Sequence, residues 1–298
     1  MNSEVTANDR LVDRIARNTA LDPIAVALAP GLRNALDSAG PLEPLASLLH
    51  GTPLGHPLHP AVTDIPIGAW SLAAIFDVLE ASGNTDFARA SDVAIGVGLA
   101  GGVLAIASGM TEWADTKDDP RRLGMAHALL NTVGFSCYVA SLVLRGRGNR
   151  AAGLATAFAG FAISAFAAYL GGELSFGMRL GTKHTAFPHD PAADFTPVLP
   201  VIELKDKPLR VETGGIAILL SRDTAGQISA ISAICTHRGA ALEEGEFAGG
   251  CVTCPWHHAQ FLLATGAVER GPASFPLAQF ETRVKGSMIE ICAAYRTK

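Results

Sequence analysis

Residues 235–261, CTHRGAALEEGEFAGGCVTCPWHHAQF, decide the fold of the C-terminal third of this 298-residue chain. Cys235 and His237 form a C-x-H pair, Cys254 and His257 form a C-x-x-H pair, and sixteen residues separate the two pairs. Thiolates and imidazoles are ligands of transition metals in proteins. The two pairs therefore predict a metal centre.

Two kinds of centre suit this ligand set. Two thiolates and two imidazoles bind zinc as a tetrahedral site, or they hold two irons, with the histidine pair replacing a cysteine pair on one iron. Each pair here mixes Cys with His, whereas common zinc fingers pair Cys with Cys. Gly239 and Pro255 lie beside the ligands, where the backbone must fold tightly, and a turn-bearing segment, residues 265–272, follows. These features favour iron, and zinc is the alternative.

The residues around the ligands predict β-structure. Residues 215–221 (GIAILLS), 227–234 (QISAISAI) and 287–292 (SMIEIC) are short apolar or alternating runs bounded by Gly and Asp. Such runs are typical of β-strands. Several of them at short spacing predict a small antiparallel barrel or sandwich.

CTHRGAAL, CPWHHAQF and ATGAVERGP resemble the Rieske ferredoxins, over about residues 198–292. The resemblance implies a [2Fe-2S] cluster on Cys235, His237, Cys254 and His257. It also implies that the two cysteines hold the buried ferric iron. The two histidines would hold the outer iron, which takes the electron and lies nearest solvent or partner.

The chain departs from cytochrome bc-type Rieske proteins in ways that affect the potential. Those proteins have a disulfide between the ligand loops, where this chain has Ala240 and Trp256, and hydroxyls near the cluster, where it has Ala259 and Phe261. Hydrogen bonds to the sulfurs raise the potential, so we expect a value toward the bottom of the roughly −150 to +300 mV Rieske range. His258 stands where glycine is usual, and we expect it at the surface rather than on the metal.

Four apolar stretches precede this region and give the chain its high hydrophobic share, 49%, and its low charged share, 17%. They are residues 65–79, 93–110, 125–144 and 151–172. A helix needs about 20 apolar residues to cross a bilayer, and the first stretch, which is short and carries Asp77, is the weakest. Buried helices of a soluble bundle are the alternative. Such helices usually keep a polar stripe, and the four stretches here do not. We therefore predict four membrane spans.

An even number of spans places both flanking segments and the central loop on one membrane face. Several polar side chains would gather there: His56, His59, Asp64, Trp113, Asp115, His127 and Glu173. Ionisable groups at membrane depth pair, line wet cavities or bind ions, and histidines on neighbouring spans can ligate haem iron or another metal. The alternatives are a haem or quinone site that includes His56, His59 and His127, or side chains that only fix helix ends.

GHPLHPAVTDIPIGAW, RRLGMAHALLN and YLGGEL resemble the four-helix membrane family called domain of unknown function 2231, over about residues 55–179. The resemblance supports the number of helices. It also supports the grouping of His56, His59, Asp64 and His127. It implies no reaction.

Charge and cysteine content narrow the partners and the compartment. A net charge of −5 gives no basic excess for nucleic acid. Five unevenly spaced cysteines argue against a disulfide framework, and Cys251 and Cys292 are expected in the core.

The N-terminus lacks the pattern of a cleaved export signal. Near the span ends, five Lys and Arg residues lie on the iron-sulfur side and four on the opposite side, so their number hardly decides the orientation in the membrane. We expect the iron-sulfur domain to face the cytoplasm.

The expected fold class is α + β, a four-helix transmembrane bundle followed by an all-β iron-sulfur domain. The predicted divisions are an N-terminal segment (1–50), the membrane domain (51–181), a proline-rich linker (182–197) and the iron-sulfur domain (198–298). His50, His184 and His189 are expected in loops.

The expected function is one-electron relay between a soluble donor, such as a reductase, and a membrane or protein acceptor. The alternative is a membrane oxidoreductase or redox sensor with a haem or quinone near His56, His59 and His127, supplied with electrons by the cluster. An oxygenase needs a mononuclear iron on two histidines and a carboxylate in a large further domain. No histidine follows His258, so an oxygenase is disfavoured.

Overall fold

A computed structural model describes residues 7–36, 42–183 and 194–292. The chain forms two compact units, a helical unit of residues 1–35 and 58–180, and a β unit of residues 36–57 and 181–298. The α + β class is confirmed. The division differs from the predicted one, because residues 36–57 belong to the β unit although they precede the long helices.

Four long helices dominate the helical unit, after two short ones. The short helices are α1 (Ala7–Ala16) and α2 (Asp22–Ala35), and the long ones are α4 (Leu58–Ala81), α5 (Ala88–Ala114), α6 (Asp118–Gly146) and α7 (Arg150–Gly172). With their short 3-10 or π extensions, the long helices run for 24 to 30 residues. By length and composition, all four are able to cross a membrane. The four predicted apolar stretches are confirmed as helices.

The long helices form two hairpins, α4 with α5 and α6 with α7. Small residues allow close approach within each. A Cβ on Gly160 would lie 3.1 Å from the main-chain oxygen of Gly134, and one on Gly98 would collide with the Trp70 indole. The Trp70 ring stacks on Tyr138 with centroids 4.3 Å apart. In a bilayer the hydrophobic effect does not drive helices together, because the lipid tails are as apolar as the side chains. Close packing of this kind holds the helices together instead.

Among its described residues, the β unit contains two antiparallel sheets and one α-helix, α3 (Glu43–His50). The first sheet has the order β1-β10-β9-β4-β3-β2 and the second the order β5-β6-β7-β8. The strands are β1 (Thr196–Pro200), β2 (Leu209–Thr213), β3 (Ile216–Arg222), β4 (Ile228–Ser232), β5 (Glu246–Ala248), β6 (Cys251–Thr253), β7 (Gln260–Leu262), β8 (Val268–Arg270), β9 (Gln279–Lys285) and β10 (Met288–Cys292). The three predicted strands correspond to β3, β4 and β10. The predicted linker overlaps β1 at Thr196 and Pro197.

An ionic network closes one end of the bundle. The Arg145 guanidinium donates to both carboxylate oxygens of Asp77 at 2.9 and 2.6 Å, and the two side chains are only 2% and 1% exposed. Arg145 also donates to Asp92 at 2.9 Å. Arg150 pairs with Asp92 and Glu80. Asp77, the residue that weakened the first predicted span, is thus neutralised by a partner on α6.

Replacing Arg145 with Ala leaves the Asp77 carboxylate without its bidentate cation inside the bundle. We expect the variant to lose about 3–5 kcal/mol of stability, the usual cost of breaking a buried pair. Thermal unfolding in detergent measures this loss. Arg147→Ala, at an exposed position directly after the same helix, is the matched control, and replacing the pair together (Asp77→Leu with Arg145→Met) recovers most of the loss. Equal effects of R145A and R147A would contradict the assignment.

Candidate metal centre

The four predicted ligands lie in two loops with the same backbone frame. The first loop follows β4, and the second joins β6 to β7. The Cys235 N–H donates to the Ala240 carbonyl at 2.8 Å, and the Cys254 N–H donates to the Ala259 carbonyl at 2.8 Å. The two loops therefore present their cysteines in the same way.

Each loop turns through a residue in the left-handed region. Gly239 has a φ of 77° and His258 has a φ of 61°. Their N–H groups donate back to the carbonyls of Cys235 and Cys254, at 2.9 and 3.1 Å. His258 thus takes the turn position that Gly239 fills in the first loop. Its side chain is exposed, as predicted, and Arg270 donates to its carbonyl oxygen at 3.1 Å.

The cysteines lie at the inner side of the centre. Both are 1% exposed, in a core with Leu219, Ile231 and Phe261. Their sulfurs are close enough for the Cys235 thiol to donate a hydrogen bond to the Cys254 sulfur. This bond raises the pKa of Cys235, as does burial, and it lowers the pKa of Cys254 to about 7 against the opposing effect of burial. The bond thus shows that both sulfurs face one site.

The histidines lie at the outer side. The rings of His237 and His257 have centroids 5.0 Å apart and planes at 85°, and both residues are half-buried. Two sulfurs together on the inside and two imidazoles together on the outside fit a [2Fe-2S] cluster with one iron of each kind. The structure thus brings all four predicted ligands together, each loop contributing one of each type.

A third loop, residues 271–275, covers the centre from the side. Ala273 is fully buried in the same core as the two cysteines. The Thr236 hydroxyl, between the first two ligands, donates to the Phe275 carbonyl at 2.6 Å. The sequence indicated this loop only through its Gly and Pro.

The loop expectation for His50 was wrong. His50 is the last residue of α3, which ends at Gly51 in the left-handed region. It is only 5% exposed, and its ring meets that of His237 edge-on, with centroids 6.5 Å apart. Sequence motifs relate residues that are close together in the chain. They could not reveal this contact, because 187 positions separate the two residues.

The turn after α3 attaches this segment to the third loop. The Thr52 hydroxyl donates to the Ala273 carbonyl at 3.0 Å. A Cβ on Gly271 would lie 2.7 Å from the same hydroxyl, so glycine is required for the close approach. Residues 43–54, here called the α3 cap, therefore belong to the surroundings of the metal centre.

The positions that differ from cytochrome bc-type proteins lie at the centre. Ala240, Ala259 and Phe261 are buried in the core that holds the cysteines. Trp256 is instead 55% exposed, with its ring edge-on to His257 at a centroid distance of 6.4 Å. The two ligand loops hold no disulfide, and all five cysteines are free.

Two members of the second predicted group lie close together. The rings of His59 and His127 lie 6.5 Å apart in the helical unit. His56 belongs to the β unit, where its ring meets Phe275 at 6.1 Å. His184 and His189 lie outside the described residues.

Two other members of that group have structural partners within the helical unit. The Trp113 indole donates to the Arg121 carbonyl at 3.0 Å. Asp115 pairs with Arg33 at 3.4 Å. These contacts join α5 to α6 and α2, so both residues hold helix ends.

Two families match different parts of the chain. The family described as Rieske [2Fe-2S] domain matches residues 194–281. The family described as predicted membrane protein (DUF2231) matches residues 55–184. The two matches correspond to the β unit and to the four long helices.

Individual relatives match the β unit. Ferredoxin CarAc of Metapseudomonas resinovorans is 37% identical over 76 residues, which are 26% of this chain and 71% of that protein. Apoptosis-inducing factor 3 of Homo sapiens is 32% identical over 39% of this chain, but the match spans only 19% of that protein. The ferredoxin of carbazole 1,9a-dioxygenase from Nocardioides aromaticivorans IC177 is a solved structure, with 27% identity, 34% of this chain and 98% of that chain covered, and a TM-score of 0.32.

Introducing hydroxyls at Ala259 and Phe261 should raise the midpoint potential of the centre. Ala259→Ser and Phe261→Tyr place hydrogen-bond donors in the core that holds the ligand cysteines, and such donors stabilise the reduced form. We expect each to raise the potential by tens of millivolts, on the order of the tuning that such hydrogen bonds provide. Redox titration of the visible absorbance measures the change. Phe280→Tyr, the same change in the other core, should leave it unaltered, and a fall in A259S or F261Y would contradict the argument.

Removing the His50 ring should also raise the midpoint potential. Reduction adds one negative charge, and water admitted beside His237 would stabilise that charge. We expect His50→Ala to raise the potential on the order of tens of millivolts. His56→Ala, which removes an exposed histidine after the same cap, is the control. An unchanged potential in H50A, or equal shifts in both variants, would show that the cap does not influence the centre.

Proposed function

Because the chain belongs to the Rieske [2Fe-2S] family and carries a four-helix DUF2231 domain, we propose that it is a membrane-anchored one-electron carrier. It accepts electrons from a soluble donor and passes them to a membrane or protein acceptor. Cys235, His237, Cys254 and His257 would hold the cluster, which supplies reversible one-electron chemistry when bound.

The sidedness of the ligand set carries this proposal. The cysteines are 1% exposed, whereas the histidines are half-buried at the rim. Imidazole edges near the surface shorten the path to a partner, and buried sulfurs protect the centre from water. Such a site exchanges electrons without needing a substrate pocket.

The second ligand loop offers a surface for the redox partner. Pro255, Trp256 and His258 are all exposed beside His257. An exposed tryptophan next to a ligand is a suitable anchor, since aromatic residues are enriched at the centres of interfaces. Ferredoxin CarAc is named as a ferredoxin, and we infer that this chain meets a reductase or another redox protein in a similar way.

The helices support anchoring in the membrane and a single location for the β unit. The β unit is assembled from two segments of the chain, one before and one after the four long helices. Four crossings return the chain to its starting side, so both segments share one face. We propose that this face is cytoplasmic, the compartment in which the free cysteines would remain reduced.

Membrane vesicles from cells that produce the full chain test both parts of the proposal. Dithionite, a charged reductant, should reduce the cluster rapidly in inverted vesicles and slowly in right-side-out vesicles. Visible and electron paramagnetic spectra follow the reduction. Detergent should remove the difference, because it gives the reductant access to both faces.

Cys254→Ser removes one thiolate ligand and should abolish the cluster spectrum. Cys251→Ser, a change outside the ligand set, should retain it. Purified protein that contains zinc but neither iron nor acid-labile sulfide would overturn the electron-transfer proposal. Rapid reduction only in right-side-out vesicles would overturn the orientation alone.

A further inference from the structure

His59 and His127 occupy equivalent places in the two helical hairpins. His59 lies on α4 and packs on α5, and His127 lies on α6 and packs on α7. The Nδ1 of His59 is 2.8 Å from the Ala105 carbonyl, and the Nδ1 of His127 is 2.8 Å from the Ala167 carbonyl. A carbonyl only accepts, so Nδ1 carries the proton in each ring. The lone pair is therefore on Nε2, the arrangement found in metal-binding histidines.

Each hairpin also provides a glycine for the ring. A Cβ on Gly109 would lie 2.8 Å from the Cε1 of His59, and one on Gly171 would lie 2.9 Å from the Cε1 of His127. Both glycines come four residues after the alanine whose carbonyl holds the ring. The same Ala-x-x-x-Gly device thus appears twice, once for each histidine.

The two rings are spaced for a shared ligand. Their centroids are 6.5 Å apart and their planes are at 84°. Imidazole nitrogens bind a transition metal at about 2.0–2.1 Å, so two of them on opposite sides of one ion lie about 4 Å apart. A centroid distance of 6.5 Å accommodates this span, because each nitrogen lies at the edge of its ring. The cluster histidines, predicted to share one iron side by side, are closer, at 5.0 Å.

Neighbouring polar groups leave this role possible. The Asn131 amide lies 3.2 Å from Nε2 of His127, but it also donates to the His127 carbonyl at 3.0 Å. The Ser108 hydroxyl lies 3.5 Å from Nδ1 of His59 and donates to the Leu104 carbonyl at 2.9 Å. Both side chains therefore have main-chain acceptors. Glu112, buried and three residues after Gly109, places a carboxylate on the same stripe of α5, where it favours a bound cation.

A purely structural role accounts for only one ring nitrogen, Nδ1, of each histidine. The Nδ1 bonds to Ala105 and Ala167 would hold the helices together, but they do not require the two rings to meet. Ionisable residues in membrane helices are costly and usually serve a function. Imidazole is a preferred ligand for iron and copper.

We propose that His59 and His127 together bind one redox-active transition-metal ion, either haem iron or a bare iron or copper ion, on opposite sides of that ion. The site makes the helical unit a redox domain in its own right. We infer that this ion accepts the electron from the cluster, and this part rests on the proposed electron-carrier function. The electron lost when the cluster is reoxidised would lower the charge of the ion by one.

Metal analysis and spectroscopy of the purified full-length protein test the proposal. The protein is produced with added iron, copper and haem precursor, and it is assayed for iron, copper, zinc, haem and acid-labile sulfide. We expect one metal per chain beyond the cluster iron. Haem absorbance bands would identify haem iron, and extra copper or iron without those bands would identify a bare ion. Zinc alone, or no metal beyond the cluster iron, would overturn the proposal.

Variants assign the site. The purified protein, with its cluster intact, is titrated separately with haemin, with Fe²⁺ and with Cu²⁺. His59→Ala and His127→Ala should each weaken binding of the matching probe by more than about 100-fold, since each removes a direct ligand. His56→Ala, a histidine in the other unit, should bind as the wild type does.

Gly109→Ala and Gly171→Ala provide a second measurement that keeps every ligand. Each should displace one ring and weaken binding about 10-fold or more, as changes beside metal ligands do. Unchanged binding in H59A and H127A would reject the site. Sulfide content and the cluster spectrum, recorded on the same samples, report separately on the electron-carrier proposal.

Discussion

The centre depends on two main-chain hydrogen bonds, from the N–H groups of Cys235 and Cys254 to the carbonyls of Ala240 and Ala259. They close two loops of the same shape, one after β4 and one between β6 and β7. In each loop the cysteine points into the core and the histidine lies at the rim. Everything else about the site follows from this sidedness: a protected pair of sulfurs, a partly exposed pair of imidazoles, and a surface next to the second histidine where another protein can approach.

The chain that enters the first long helix contributes to this centre as well. The α3 cap lies against the third loop through Thr52 and Ala273, and His50 meets His237. The cap therefore lies beside one ligand histidine, and the exposed Trp256 lies beside the other. The two ligand histidines therefore differ in their surroundings.

The helical unit contains two polar groups that are balanced in different ways. Asp77 and Arg145 satisfy one another through two hydrogen bonds and opposite charges, so their chemistry is complete within the protein. His59 and His127 each satisfy one nitrogen on a carbonyl, and their rings lie 6.5 Å apart at nearly right angles, each beside a glycine that leaves room for it. The first group must stay intact as a pair, because the loss of either partner would leave an unpaired charge buried in the bundle. The second retains ligand capacity, because neutral imidazole keeps a lone pair on its other nitrogen.

Local sequence was sufficient for much of this protein. Four long apolar runs predicted the four helices, short apolar or alternating runs predicted β3, β4 and β10, and the mixed Cys and His spacing predicted the ligand set, because each of these signals is contained in a short stretch of chain. Tertiary structure alone decided the remainder. Packing, and not spacing along the chain, places His50 beside His237 and pairs Asp77 with Arg145. Side-chain periodicity indicates which face of an element is apolar, but only packing decides which distant residue meets that face.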